Sequence, residues 1–94
     1  MKSRRARIIV NGAVQGVGFR PFVYRLANQL RLNGYVSDST QGVLIEVEGA
    51  ENRLVEFLVR LETDKPPLAI IQNVNHCFFK PVSYEEFEML ESDG

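Results

Sequence analysis

The chain has 94 residues, 45% apolar and 24% charged, with a formal net charge of −1. That length holds one core, so residues 1–94 are expected to form a single domain, and near-neutral charge gives no reason to expect general affinity for nucleic acid. One cysteine, Cys77, excludes an internal disulfide framework and any multi-cysteine zinc or iron–sulfur site within the chain, and no apolar run approaches the roughly 18–20 residues that cross a bilayer. Basic residues gather at Lys2, Arg4, Arg5 and Arg7 with no apolar signal segment after them. Acids gather at Glu85, Glu86, Glu88, Glu91 and Asp93. Both groups read as solvated chain ends, and the expected location is cytoplasmic, with no membrane partner.

Arg5 to Asn11 is β-rich, with Ala6, Ile8 and Val10 on one side, and predicts a strand that ends at Gly12. Val14 to Phe19 holds Gly16 and Gly18 and reads as a loop. Phe22, Leu26 and Leu30 lie four apart, with Val23 and Ala27 beside them, which predicts a helix from Pro21 to Leu32. Gly34 is the expected left-handed stop. Tyr35 to Ser37 resumes extended structure, Asp38 to Gly42 has turn chemistry, and Val43 to Glu48 alternates. Its Leu44, Glu46 and Glu48 face is expected to be wet. Leu54, Phe57, Leu58 and Leu61 mark a second helix, stopped before Pro66-Pro67. Ile70 to Phe79 and Phe87 to Leu90 read as strands. His76 and Cys77 are adjacent on a strand and so point to opposite faces, with Cys77 packing as a small apolar residue. Phe19, Phe22, Phe57, Phe78, Phe79 and Phe87 are expected core residues. The order β-α-β-β-α-β predicts an α+β, ferredoxin-like sandwich: an antiparallel sheet with two helices on one face.

The informative segment is Val14-Gln15-Gly16-Val17-Gly18-Phe19-Arg20, between a strand end and a helix start. Two glycines let the backbone turn so that successive N–H groups converge on an anion. A helix N-terminus adds unpaired donors and partial positive charge. Arg20 adds a full charge and a planar fork that matches phosphate or carboxylate oxygens. The residues alone are equally consistent with a tight turn beside a surface arginine. The segment is not a P-loop, since no Lys-Ser or Lys-Thr follows the second glycine, and it lacks the three-glycine dinucleotide spacing.

Gly12-Ala13-Val14-Gln15-Gly16-Val17-Gly18-Phe19-Arg20 resembles the G-x-V-Q-G-V-G-F-R signature of the acylphosphatase family at every fixed position. Gly34-Tyr35-Val36-Ser37-Asp38, followed by Gln41-Gly42-Val43, is similar to the family's second signature, and the likeness runs from about Arg5 to Leu90. The continuation Pro21-Phe22-Val23-Tyr24 resembles the N-terminal acylphosphatase-like domain of the HypF carbamoyltransferases that mature nickel–iron hydrogenases. By that resemblance the chain is either such a domain, with downstream domains in a longer polypeptide, or a stand-alone relative.

The resemblance implies hydrolysis of acyl phosphates to carboxylate and phosphate without metal or cofactor. The alternative is handling of carbamoyl phosphate with weak or no independent turnover. It implies that Arg20 and the amides of Gln15, Gly16, Val17, Gly18 and Phe19 bind the phosphoryl group, with inorganic phosphate or sulfate as anion ligands. Asp38 stands where the family has the asparagine that orients the attacking water. Ionised aspartate only accepts hydrogen bonds, and a like charge at about 4 Å costs on the order of 1 kcal/mol even when well screened. Reduced turnover is therefore expected, although the carboxylate could instead act as a general base or be simply a turn residue. An RNA-binding module of this topology is disfavoured, since Val43 to Glu48 holds no aromatic and two acids. A metallochaperone would need a second cysteine. A regulatory ligand-binding module stays open.

Overall fold

In a computed structural model, residues 2–91 are described; Asp93 of the acidic group lies outside them. The elements are β1 (Ser3–Ala13), α1 (Phe19–Gln29), β2 (Asn33–Ser39), β3 (Gly42–Ala50), α2 (Glu51–Thr63), β4 (Ile70–Phe79) and β5 (Phe87–Met89). The sheet order is β4-β1-β3-β2-β5. The first four strands pair antiparallel, as the sequence predicts. The short β5 adds parallel to β2, so the five-stranded sheet is mixed. Ala6, Ile8, Val10, Val36, Val43, Ile45 and Val47 face α1 and α2 and are fully buried with Phe19, Leu26, Leu54, Phe57 and Leu61. No helix among the described residues is long and apolar enough to cross a membrane.

Two boundaries differ from the sequence reading for local reasons. Helix α1 starts at Phe19, so Pro21 occupies its third position; the first intrahelical bond runs from Phe22 N–H to Gly18 O at 3.2 Å. The missing proline N–H thus falls among donors with no partner in any helix. The helix ends at Gln29 rather than Leu32. Arg31, at φ 56°, makes the left-handed exit, while Leu32 N–H donates to Ala27 O (2.8 Å) and Arg31 N–H to Asn28 O (3.1 Å). That is a Schellman cap built on arginine. Gly34, the expected stop, lies inside β2 at φ 141°, where a Cβ would fall on the Glu46 carbonyl oxygen.

The face opposite the helices is not the wet face expected for β3. Glu46 and Glu48 are only 1% and 8% exposed. The connection from β4 to β5 must pass from one edge of the sheet to the other, and it crosses this face. There Tyr84 hydroxyl donates to Glu46 Oε1 at 2.5 Å, Arg5 Nη1 to both Glu46 oxygens at 3.1–3.2 Å, and Arg7 Nε to Oε2 at 2.8 Å. The basic N-terminal cluster is therefore no solvated tail. Arg5 and Arg7 neutralise Glu46, and Arg4 pairs with Glu51 at 3.7 Å. Phe79, expected in the core, is 44% exposed on the same face, with the Arg5 guanidinium 5.0 Å from its ring centre. Cys77, expected to be packed, is exposed, because β4 is an edge strand and Cys77 pairs with Arg7 on the face away from the helices.

Burial, and then the bond to Glu46, push the Tyr84 phenol up to about 12 from its ordinary 10.0. A phenol raised on folding stabilises the fold fully below the unfolded value, and that contribution is lost as pH rises through the folded one. Ultraviolet titration of the three tyrosines is expected to show one phenol ionising only near pH 12, and that step moves down in Glu46→Gln. An unchanged titration in Glu46→Gln would contradict the assignment.

Candidate functional site

One end of the sheet gathers the residues singled out by the sequence. β1 leaves the sheet at Ala13, and residues 14–18 lead directly into α1. Val14 is buried and Val17 packs on the core, which anchors the loop between two exposed glycines. Gly16 and Gly18 sit at φ 73° and 81° with open space where a Cβ would be. They are required for backbone conformation, not for room, and a left-handed φ is strained for other residues. Gln15 is exposed, and Phe19 is buried beside Phe22 at the helix start.

The N-terminus of α1 has no side-chain cap and no acid in its first turn. The first N–H groups of a helix have no intrahelical partner, so this end presents free donors and the positive pole of the helix. Pro21 contributes none, leaving Phe19 and Arg20 amides, with the loop, as the donors at the turn.

Arg20 lies in that first turn and reaches β2. Its Nε is 3.3 Å from Asp38 Oδ2, with the two side chains 30% and 16% exposed. Its Nη1 donates to the Leu90 carbonyl at 2.7 Å. Asp38 is not a turn residue: it is inside β2, paired with Val43. The turn is confined to Thr40-Gln41, where Ser39 Oγ donates to Gly42 O at 2.9 Å and accepts from Gln41 N–H at 3.2 Å. Asn11 Nδ2 ties the end of β1 to the same turn through the Gln41 carbonyl. Asp38 Oδ1 is buried without a hydrogen-bond partner among the described residues. A buried carboxylate oxygen ordinarily accepts at least one bond, so it is an acceptor free for a small donor.

The structure thus brings Arg20 and Asp38 together at the loop's end of the sheet. It adds one group the sequence reading missed, the Leu90 carbonyl. Leu90 N–H donates to Val36 O at 2.8 Å, extending β5 alongside β2 toward Asp38. A backbone acceptor leaves no mark in side-chain chemistry, so no residue type could have announced it. His76 lies on β4 opposite Ile8, away from this cluster.

The acylphosphatase family model matches residues 6–89. The chain belongs to the acylphosphatase family. The acylphosphatase of Thermotoga petrophila is 44% identical over 82 residues, 86% of this chain and 90% of that protein. The carbamoyltransferase HypF of Rhizobium leguminosarum bv. viciae is 50% identical over 91 residues, 97% of this chain but 12% of that protein. Among solved structures, full-length HypF in a phosphate- and nucleotide-bound form matches with a TM-score of 0.92 at 33% identity, over 99% of this chain and 13% of that one. An acylphosphatase from Bacillus subtilis matches with a TM-score of 0.87 at 32% identity, over 93% and 98%. This acylphosphatase domain is therefore similar both to whole acylphosphatases and to about an eighth of HypF.

Proposed function

We propose that the domain hydrolyses the carboxyl–phosphate bond of acyl phosphates, with Arg20 and the amides of Gln15 to Arg20 holding the phosphoryl oxygens and Asp38 holding the attacking water. The meeting of Arg20 and Asp38 beside an uncapped helix start carries this reading. Phosphoryl transfer needs charge stabilisation and an aligned nucleophile more than a covalent group. Water oxygen forms a bond to phosphorus. The bond from phosphorus to the bridging oxygen breaks, the carboxylate leaves with the electron pair, and the water proton passes to solvent or to the product phosphate, with Asp38 orienting the water as a hydrogen-bond acceptor. Asp38 Oδ1 is a free acceptor for the water O–H, and Oδ2 faces Arg20, whose charge offsets the carboxylate's repulsion of phosphate.

A second reading is favoured by the 50% identity over 97% of the chain to HypF and by Pro21 after Arg20. In it the domain handles carbamoyl phosphate, itself an acyl phosphate, within a longer carbamoyltransferase, and the same bond breaks at the same residues. Residues 1–94 acting as one domain in the cytoplasm, with inorganic phosphate or sulfate as competing anions, complete the proposal.

The test is hydrolysis of benzoyl phosphate and carbamoyl phosphate by the chain and by Asp38→Asn. Removing one negative charge beside the phosphate is worth about 1 kcal/mol, so Asp38→Asn is expected to raise kcat/KM about fivefold. Loss of turnover in Asp38→Asn would make the carboxylate a general base instead. A folded parent and a folded Asp38→Asn that both leave the two substrates intact would overturn the enzyme reading. A kcat/KM favouring carbamoyl phosphate supports the second.

A further inference from the structure

Glu48 lies on β3, on the sheet face away from the helices and outside the Arg20 cluster, and it is 92% buried; Arg5 is its neighbour across β1, but among the described residues no cation forms an ion pair with its carboxylate. Its carboxylate takes three consecutive backbone amides: Oε1 accepts from Val82 N–H (2.6 Å) and Ser83 N–H (3.1 Å), and Oε2 from Tyr84 N–H (3.0 Å). Ser83 takes a left-handed φ of 64° there, a conformation that serine rarely adopts. Three charge-assisted bonds onto one carboxylate hold that turn shut. From it the chain runs straight to the site. Asn33 Nδ2 donates to Tyr84 O (3.0 Å), Gly34 N–H to Glu86 O (2.9 Å), Phe87 is buried, and Leu90 presents its carbonyl to Arg20. β5 itself is only three residues long and paired on one side, too short to hold its own position.

We propose that Glu48 is a positioning residue for Arg20, acting through the strap from Val82 to Leu90. The glutamate fixes the start of the strap, and the strap's end sets the Leu90 carbonyl that aims the guanidinium. Without that acceptor Arg20 is left with Asp38 as its one partner among the described residues, which turns its donors toward the carboxylate and away from an incoming phosphate. This rests on the reading of Arg20 as the phosphate-binding residue.

Three readouts test it in the parent, Glu48→Ala, Glu48→Gln and Leu58→Ala, the last a control for lost packing on α2. They are the Kd for inorganic phosphate, KM and kcat for benzoyl phosphate, and the nuclear magnetic resonance signal of Arg20 Nε–H with the exchange rate of the Leu90 amide. Glu48→Ala is expected to raise Kd and KM about tenfold, speed exchange at Leu90 and shift the Arg20 signal. Glu48→Gln, which keeps an acceptor for part of the turn, is expected to give about a threefold effect. Leu58→Ala is expected to lose stability and leave the Arg20 signal in place. If Glu48→Ala does not fold, Glu48→Gln bears the test alone. An Arg20 signal unmoved in a folded Glu48 variant whose Val82–Tyr84 amides exchange faster would overturn the proposal. A parent that binds no phosphate counts against the proposed function, whereas the Arg20 signal and Leu90 exchange still decide the coupling.

Discussion

Arg20→Ala is expected to lower kcat/KM for acyl phosphates by about two to three orders of magnitude, roughly 3–4 kcal/mol, the size of the loss when one preorganised donor to a developing oxyanion is removed. The reason is local. Among the described residues the guanidinium is the one cation paired with Asp38, and two of its nitrogens are already held, by Asp38 at 3.3 Å and by Leu90 O at 2.7 Å. Held donors lose little freedom when phosphate arrives, which is what makes them worth more in the transition state than a mobile surface charge. The fold should survive, because the Arg20 side chain is partly exposed and its truncation leaves the backbone hydrogen-bond ladder of α1 intact. Arg20→Lys separates charge from shape. Lysine restores a cation but not the fork that meets both partners at once, so it is expected to recover only a part of the loss. Steady-state kinetics beside a thermal melt checks both. Turnover within a few-fold of the parent in a folded Arg20→Ala would remove Arg20 from the chemistry.

Much of this site is legible in one stretch of sequence because its parts are local. Two glycines that need left-handed φ, a proline that tolerates a helix start, and an arginine between them lie within six residues, Gly16 to Pro21, and each has a conformational reason for its type. Asp38 is farther away, and its position follows from strand pairing: β2 must run back beside β3 for the hydrophobic face of Val43, Ile45 and Val47 to be buried. What the sequence hides is long-range and carried by backbone. The Leu90 carbonyl is 70 residues from Arg20. Alternation on β3 marks Glu46 and Glu48 as pointing away from the core, and that is correct. Whether such a face is wet depends on what crosses it, and the strap that crosses it comes 34 to 38 residues later. The same blindness explains Cys77 and Phe79, whose exposure follows from β4 being an edge strand. The exit of α1 fails for a different reason. Glycine is the favoured left-handed residue, but Arg31 takes that conformation because Leu32 is buried just beyond it and fixes where the chain must turn.

Glu46→Ala is expected to destabilise the fold by about 3 kcal/mol, at the low end of the range for breaking a buried ion pair from one side. The substitution strands Arg5 Nη1, on a side chain 17% exposed, and the Tyr84 hydroxyl beneath the strap, while Arg5 Nε keeps the Lys80 carbonyl and Arg7, half exposed, is free to find water. That division among the partners is why the low end applies. The Glu46 carboxyl also fixes a pH dependence. Burial works to raise it, but the bonds from Tyr84 and Arg7 and the charges of Arg5 and Arg7 outweigh burial and hold it below the ordinary 4.5. A carboxyl lowered on folding contributes its full stability above the unfolded value and loses it as pH falls through the folded one. The parent should therefore lose stability below about pH 4.5, read as the midpoint of urea denaturation against pH. Glu46→Gln removes the titrating group and keeps the shape, so it is expected to be less stable than the parent at neutral pH and to converge with it in acid. A Glu46→Gln curve that instead runs parallel to the parent's through the acid limb would assign the acid sensitivity to other carboxylates. The strap would then be held chiefly by Glu48, and by the Phe87 side chain at its far end.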